Sequence, residues 1–114
     1  IEAPPTDGKF NKAWMGDVFK VLYFIKLFNS NLEYATIINN GNPQTVVWNE
    51  SSSLINKDLI KNKPYKKVTN YHFILQSIEN LDKASFEKTM NYCPEIYQFV
   101  KEDDLLDYLE KLFR

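Results

Sequence analysis

The sequence predicts an α+β fold in which helices surround a small antiparallel sheet, and three observations carry that prediction. Apolar residues recur at helical steps of three and four from Phe10 to Phe28. Two β-prone runs, residues 34–38 and 45–48, flank the turn-forming Asn39-Asn40-Gly41-Asn42-Pro43. A last amphipathic segment groups Leu105, Leu106, Leu109, Leu112 and Phe113 behind Asp103 and Asp104, acids that suit a helix N-terminus. A length of 114 residues fits one domain, and 44% hydrophobic with 15% aromatic residues is ample material for a core.

In chain order, residues 1–9 read as a flexible tail broken by Pro4-Pro5 and Asp7-Gly8, leaving 10–114 as a single binding domain. The first helix carries Phe10, Trp14, Val18, Val21, Leu22, Ile25 and Phe28 on its stripe, with Lys12, Lys20 and Lys26 off it and a weak point at Gly16-Asp17. A buried strand over 21–28 is the competing reading. Asn29-Ser30-Asn31 stops the element. After the hairpin, Ser51-Ser52-Ser53 offers N-caps for a short helix through Asn62, closed by Pro64. The clearest helix is next. Thr69 caps it, and Tyr71, Ile74, Leu75, Ile78 and Leu81 form its apolar face, with His72, Gln76, Glu79 and Lys83 opposite. Ser85-Phe86-Glu87-Lys88 and residues 96–100 read as two short strands around a loop at 89–94, ahead of the final helix.

The parts an enzyme needs are missing from the sequence. A single histidine, His72, and a single cysteine, Cys93, leave no expected metal site, no disulfide and no supported catalytic pair. Three glycines fall in no phosphate-cradling spacing, so no cofactor is expected. Asp103 and Asp104 are neighbours on a helix and point about 100° apart, which suits surface acids rather than a carboxylate pair. Asn49-Glu50-Ser51 matches the glycosylation acceptor pattern, read as a chance match. No signal peptide opens the chain, and the longest apolar run, 21–28, is broken by Lys26 and far short of the ~20 residues that span a bilayer. An intracellular protein without a membrane role is expected, and a start at Ile1 suggests a piece of a larger one.

What remains is a binding surface. Lys61, Lys63, Lys66 and Lys67 lead into the Thr69 helix, with Lys57 upstream. Such a run is either a solvated loop or, on the functional reading, a set of phosphate contacts beside a helix that offers its polar face to a groove. On that face His72, Gln76 and Asn80 are candidate readers of base edges, and Lys83 adds a cation. Glu79 opposes phosphate unless it accepts from a cytosine amine. The net charge of −1 argues against strong nonspecific DNA binding.

Tyr65-Lys66-Lys67-Val68-Thr69-Asn70-Tyr71 resembles the Tyr-Phe-Lys-His-Ser-Asn-Phe approach to the recognition helix of heat-shock-factor winged-helix DNA-binding domains, to which ETS domains are structural cousins. Ser85-Phe86-Glu87-Lys88 resembles the Gly-Phe-x-Lys that follows that helix, and Asp103-Asp104-Leu105-Leu106-Asp107-Tyr108-Leu109 the closing Leu-Leu-x-x-Ile helix. The resemblance spans about residues 10–112 and implies a winged helix-turn-helix with an extra C-terminal helix. It also implies duplex DNA as partner and a nuclear transcription or chromatin role. By that resemblance Lys66 and Lys67 contact the DNA backbone and Gln76 enters the groove, while Lys63 is a candidate DNA contact from the lysine cluster itself. The family's guanine-reading arginine is replaced by Gln76, and the spacer from Asn80 to Phe86 is longer than the family's.

A second resemblance uses Lys67-Val68-Thr69-Asn70-Tyr71-His72-Phe73-Ile74-Leu75-Gln76-Ser77, which looks like the last strand and helix of a BRCT domain, with Phe73 in place of tryptophan. It implies an α/β fold with a parallel sheet, residues 21–28 as first strand and Asn40-Gly41 for the usual Gly-Gly. The module would bind a phosphorylated protein segment through Ser30 and Lys57, or act as a scaffold in a nuclear silencing or repair protein.

Overall fold

The fold is α+β, and its elements are set by where each segment hides its apolar side chains. The structure, a computed structural model, describes residues 19–28, 31–39 and 41–113. The tail 1–9, the upstream part of the first stripe with Gly16, and Ser30 and Asn40 lie outside the described residues. Helix α1 (Lys20–Phe28) buries Leu22, Tyr23 and Ile25, so the stretch read alternatively as a strand is helical. No helix among the described residues is long and apolar enough to cross a membrane.

Strands β1 (Leu32–Asn39) and β2 (Asn42–Asn49) pair antiparallel, from Leu32↔Asn49 to Asn39↔Asn42. The expected turn of five residues therefore tightens to two, and Gly41, at φ 83, supplies the left-handed backbone that such a turn requires. Pro43 enters β2 opposite Ile38, a position where its missing N–H faces away from β1. On its other side β1 meets a single parallel bridge at Phe99: Thr36 N–H donates to the Gln98 carbonyl at 3.0 Å and Val100 N–H to the Thr36 carbonyl at 2.9 Å. The parallel sheet of the alternative fold is not found among the described residues.

Residues 51–64 form turns and one 3-10 turn, Lys57–Leu59, instead of the expected helix. Asn49, Ser52 and Asn56 side chains accept the N–H groups of Ser51, Leu54 and Asp58, giving the backbone local partners that compete with helix formation. Helix α2 (Tyr71–Glu79) is capped by Asn70, whose Oδ1 accepts from Phe73 N–H at 3.2 Å, one residue later than the expected Thr69 cap. Its buried face is also rotated. Ile74 and Ser77 turn inward while Tyr71 and Leu75 are exposed. Ser77 tolerates burial because its hydroxyl donates to the Phe73 carbonyl at 2.8 Å.

The segment expected to form two strands is mostly helical. Ser85 accepts from Lys88 N–H at 3.0 Å and caps α3 (Phe86–Tyr92). A 3-10 turn, Pro94–Tyr97, follows and stops at Gln98, the one non-glycine residue with positive φ (51°) among those described. Strand character survives only at the Phe99 bridge. Helix α4 (Glu102–Leu112) forms as expected, with Glu102, Asp103 and Asp104 in its first turn. It buries Leu105, Tyr108 and Leu112, whereas Leu106 and Phe113 face solvent.

β1 divides the core. On one face Tyr34 joins Phe19, Leu22, Tyr23, Ile74, Ile96 and Tyr97; on the other Ala35 and Ile37 join Trp48, Ile55, Tyr65, Leu105 and Leu112. The central strand is thus buried on both sides, and α2 and α3 are held on the first of them.

Candidate nucleic-acid interface

α2 and α3 enclose a cleft of about 570 Å³. Its apolar part comes from Phe73, Ala84 and Tyr92, the rings of Phe73 and Tyr92 stacking at 5.9 Å and 27°. Its charged and amide lining is Gln76, Glu79, Asn80, Lys83 and Lys88, with the hydroxyl residues Ser77 and Thr89 beside them. Gln76 lies in the last turn of α2, Asn80 is its C-cap, and Lys83 ends the 3-10 turn Leu81–Lys83 that follows, so the chain reversal after the helix, not the helical period, brings the three to one cleft. Asn70 fastens the arrangement, capping α2 through Oδ1 and reaching the Tyr92 carbonyl through Nδ2 at 3.4 Å. Asn80 Nδ2 donates to the Gln76 carbonyl at 3.2 Å, and its Oδ1 has no partner among the described residues. The cleft therefore offers two amides, two ammonium groups and one carboxylate over an apolar base.

Of the residues singled out in the sequence, Gln76, Asn80 and Lys83 line this cleft. His72 is exposed on the same helix but outside the lining. Lys66 and Lys67 are exposed in the extended approach to α2 and make no ion pair with a described residue. Lys66 also borders a second groove, of about 700 Å³, with Pro64, Tyr65, Pro94 and Phe99. Lys88 and Tyr92 were missed, since their segment reads locally as strand and loop. The serine cap at Ser85 was the available signal.

Lys63 has a different place from its neighbours. Its ammonium is paired with Glu33 Oε2 and lies 3.4 Å from Glu50 Oε1. Glu33 Oε1 in turn meets Lys26 at 3.4 Å and Gln98 Nε2 at 3.1 Å, and Gln98 Oε1 accepts from Lys26 at 2.7 Å. Trp48 Nε1 donates to Glu50 Oε2 at 3.1 Å, and Lys26 lies 5.1 Å from the Tyr34 ring centre. Two cations and two anions thus compensate each other near the core. Burial alone would raise the Glu33 pKa, but the hydrogen bonds from Lys63 and Gln98 and the charges of both lysines outweigh it and hold it below the usual glutamate range. Burial lowers Lys26, an effect Glu33 partly offsets. Lys63, expected to grip phosphate, has its charge committed to carboxylates instead.

The phosphopeptide expectation finds Lys57 donating to the Glu50 carbonyl at 2.7 Å, and Ser30 lies outside the described residues. Cys93 is buried, its thiol 3.8 Å from Glu95 Oε2; burial first, and the Glu95 charge second, push its pKa up to about 11. It is protonated at neutral pH, a poor nucleophile. Among the described residues no three His, Cys, Asp or Glu side chains converge as metal ligands would. Compared with known protein families, characterised proteins and solved structures, the chain matches none.

Proposed function

We infer that this chain is a duplex-DNA-binding domain of the winged-helix kind, serving a nuclear transcription or chromatin regulator, in which α2 is the groove helix. The observation that carries this reading is the exposed C-terminal end of α2 together with the turn that follows it. Gln76, Asn80 and Lys83 share one cleft with Lys88, and the unpaired Lys66 and Lys67 stand immediately upstream. Lysines at both ends of the helix suit phosphates on either side of a groove, while the amides suit base edges or bridging water. The chain order of helix, hairpin and groove helix agrees with the heat-shock-factor resemblance. The agreement is partial: turns and a single 3-10 turn stand where a helix should precede α2, and α3 follows where the wing strands would be. Contacts are therefore assigned to α2, α3 and the lysine approach, and none to a wing.

Fluorescence anisotropy with a labelled duplex tests the reading. Binding should appear at low salt and weaken as salt rises. In the Lys66→Ala, Lys67→Ala double variant the slope of log affinity against log salt should shrink by about two, one unit for each lost phosphate contact. No affinity at low salt, or an unchanged slope in the variant, would overturn it.

A further inference from the structure

The two edges of the sheet are treated differently. On β1, Thr36 N–H and C=O turn away from β2 and are taken by Gln98 and Val100, while Tyr34 N–H bonds Glu33 Oε1 and its carbonyl accepts from Gln98 Nε2. This edge is closed at these two central positions. In an antiparallel ladder a facing pair exchanges both its hydrogen bonds or neither. Thr36 faces Thr45 and Tyr34 faces Val47, so Thr45 and Val47 also turn their backbone groups outward, on the far edge of β2. The bond from Glu50 N–H to the Asn31 carbonyl, one step beyond the strands, fits this alternation. Among the described residues, no backbone hydrogen bond occupies Thr45 or Val47 on that side, and both residues are exposed.

Edge strands are usually blunted by charge, bulges or proline. β2, Asn-Pro-Gln-Thr-Val-Val-Trp-Asn, carries no charged residue, pairs without a bulge, and has its proline only near one end. We propose that the outer edge of β2 is a self-association surface, on which a second copy of this chain adds its own β2 antiparallel about a two-fold axis at Val46. That register sets Thr45 against the partner's Val47, each pair exchanging both backbone bonds, and brings the half-buried Val46 against its symmetry mate. Pro43 contributes only its carbonyl, to the partner's Asn49 N–H, so its missing donor weakens but does not block the end of the ladder. Charge permits this occupant. Glu50, the first charged residue beyond β2, falls opposite the partner's Asn42, so no like charges face each other. The union makes a four-stranded sheet from two hairpins, and a two-stranded sheet is the marginal case.

Sedimentation of the full chain from low micromolar to near-millimolar concentration tests this, with amide hydrogen exchange read in parallel. A monomer–dimer equilibrium is expected, with Thr45 and Val47 amides gaining protection as dimer forms. Val47→Pro removes only an outward N–H, and should raise the dimer dissociation constant more than about tenfold while leaving the monomer folded. Val47→Lys, which keeps the backbone donor but adds a charge at the edge, should do the same and covers the case in which proline disturbs the hairpin. The proposal is overturned by a chain that stays monomeric throughout, or by a dimer that survives Val47→Lys with its affinity unchanged. DNA binding by α2 is measured separately and does not depend on this outcome.

Discussion

Lys63 and Lys66 are three residues apart in a run of lysines, and they occupy opposite kinds of environment. Lys63, with a side chain only 14% exposed, joins Lys26 in a compensated cluster with Glu33 and Glu50. Lys66 and Lys67 point to solvent with no counter-charge among the described residues. A buried cation holds together parts that are distant in sequence; an exposed, unpaired one is available to a ligand. Charge per residue does not distinguish the two. Burial and the position of Glu33 do.

The largest effect should follow from breaking the buried set. Glu33→Ala strands both Lys26 and Lys63, and losing one side of a buried pair costs about 3–5 kcal/mol. Urea denaturation should show that loss as a lower midpoint. Lys66→Ala with Lys67→Ala should stay within about 0.5 kcal/mol of the parent, as exposed substitutions do. Equal losses in the two variants would erase the distinction between the lysines.

Acid gives a smaller and graded version of the same test. The folded-state pKa of Glu33 is depressed, so the folded protein gives up that proton more readily than the unfolded chain does. The resulting stability is complete above the unfolded value, about 4.3, and is lost as pH falls through the folded value below it. Glu33→Gln removes this contribution. Its stability should therefore fall less steeply than the parent's below about pH 4, in denaturation series run at stepped pH. Parallel curves would place the acid sensitivity elsewhere.

The same contrast explains what could be read in the sequence. The hairpin was legible because its signals are local: β-branched runs around an Asn/Gly turn. Helix α4 was legible for the same reason, with acids at its start and leucines at helical spacing. Helical steps grouped Gln76 with Lys83, and the two do share a cleft, but Lys83 reaches it from a 3-10 turn beyond the end of α2 that the spacing did not show. Lys63 could not be separated from Lys66, because its partner Glu33 lies 30 residues away and Glu33's contact with Gln98 spans 65. The aromatic and β-branched run at 96–100 looks like a strand locally. In the fold Ile96 and Tyr97 are drawn into the core beside Tyr34, and only Phe99 reaches the sheet edge. Ser85 was legible as a cap only once residues 86–92 were considered as a helix.

The smallest effect concerns a loose group beside the buried set. The Tyr65 hydroxyl is buried without a hydrogen-bond partner among the described residues, and burial together with the nearby Glu33 charge pushes its pKa well above the ordinary phenol value. The hydroxyl is therefore neutral, and its desolvation is not repaid by a bond in the folded state. Tyr65→Phe keeps the ring against Ile37, Trp48 and Leu105 while deleting that oxygen, so stability should be unchanged or rise by up to about 1 kcal/mol. Thermal unfolding of the variant reads the sign directly. A loss of about 1 kcal/mol or more would mean that the hydroxyl donates to Glu33 after all, making it a further member of the compensated cluster. Glu33 would then be held by Tyr65 as well as by Lys26, Lys63 and Gln98, and Glu33→Ala and Tyr65→Phe combined would cost less than the sum of their separate effects.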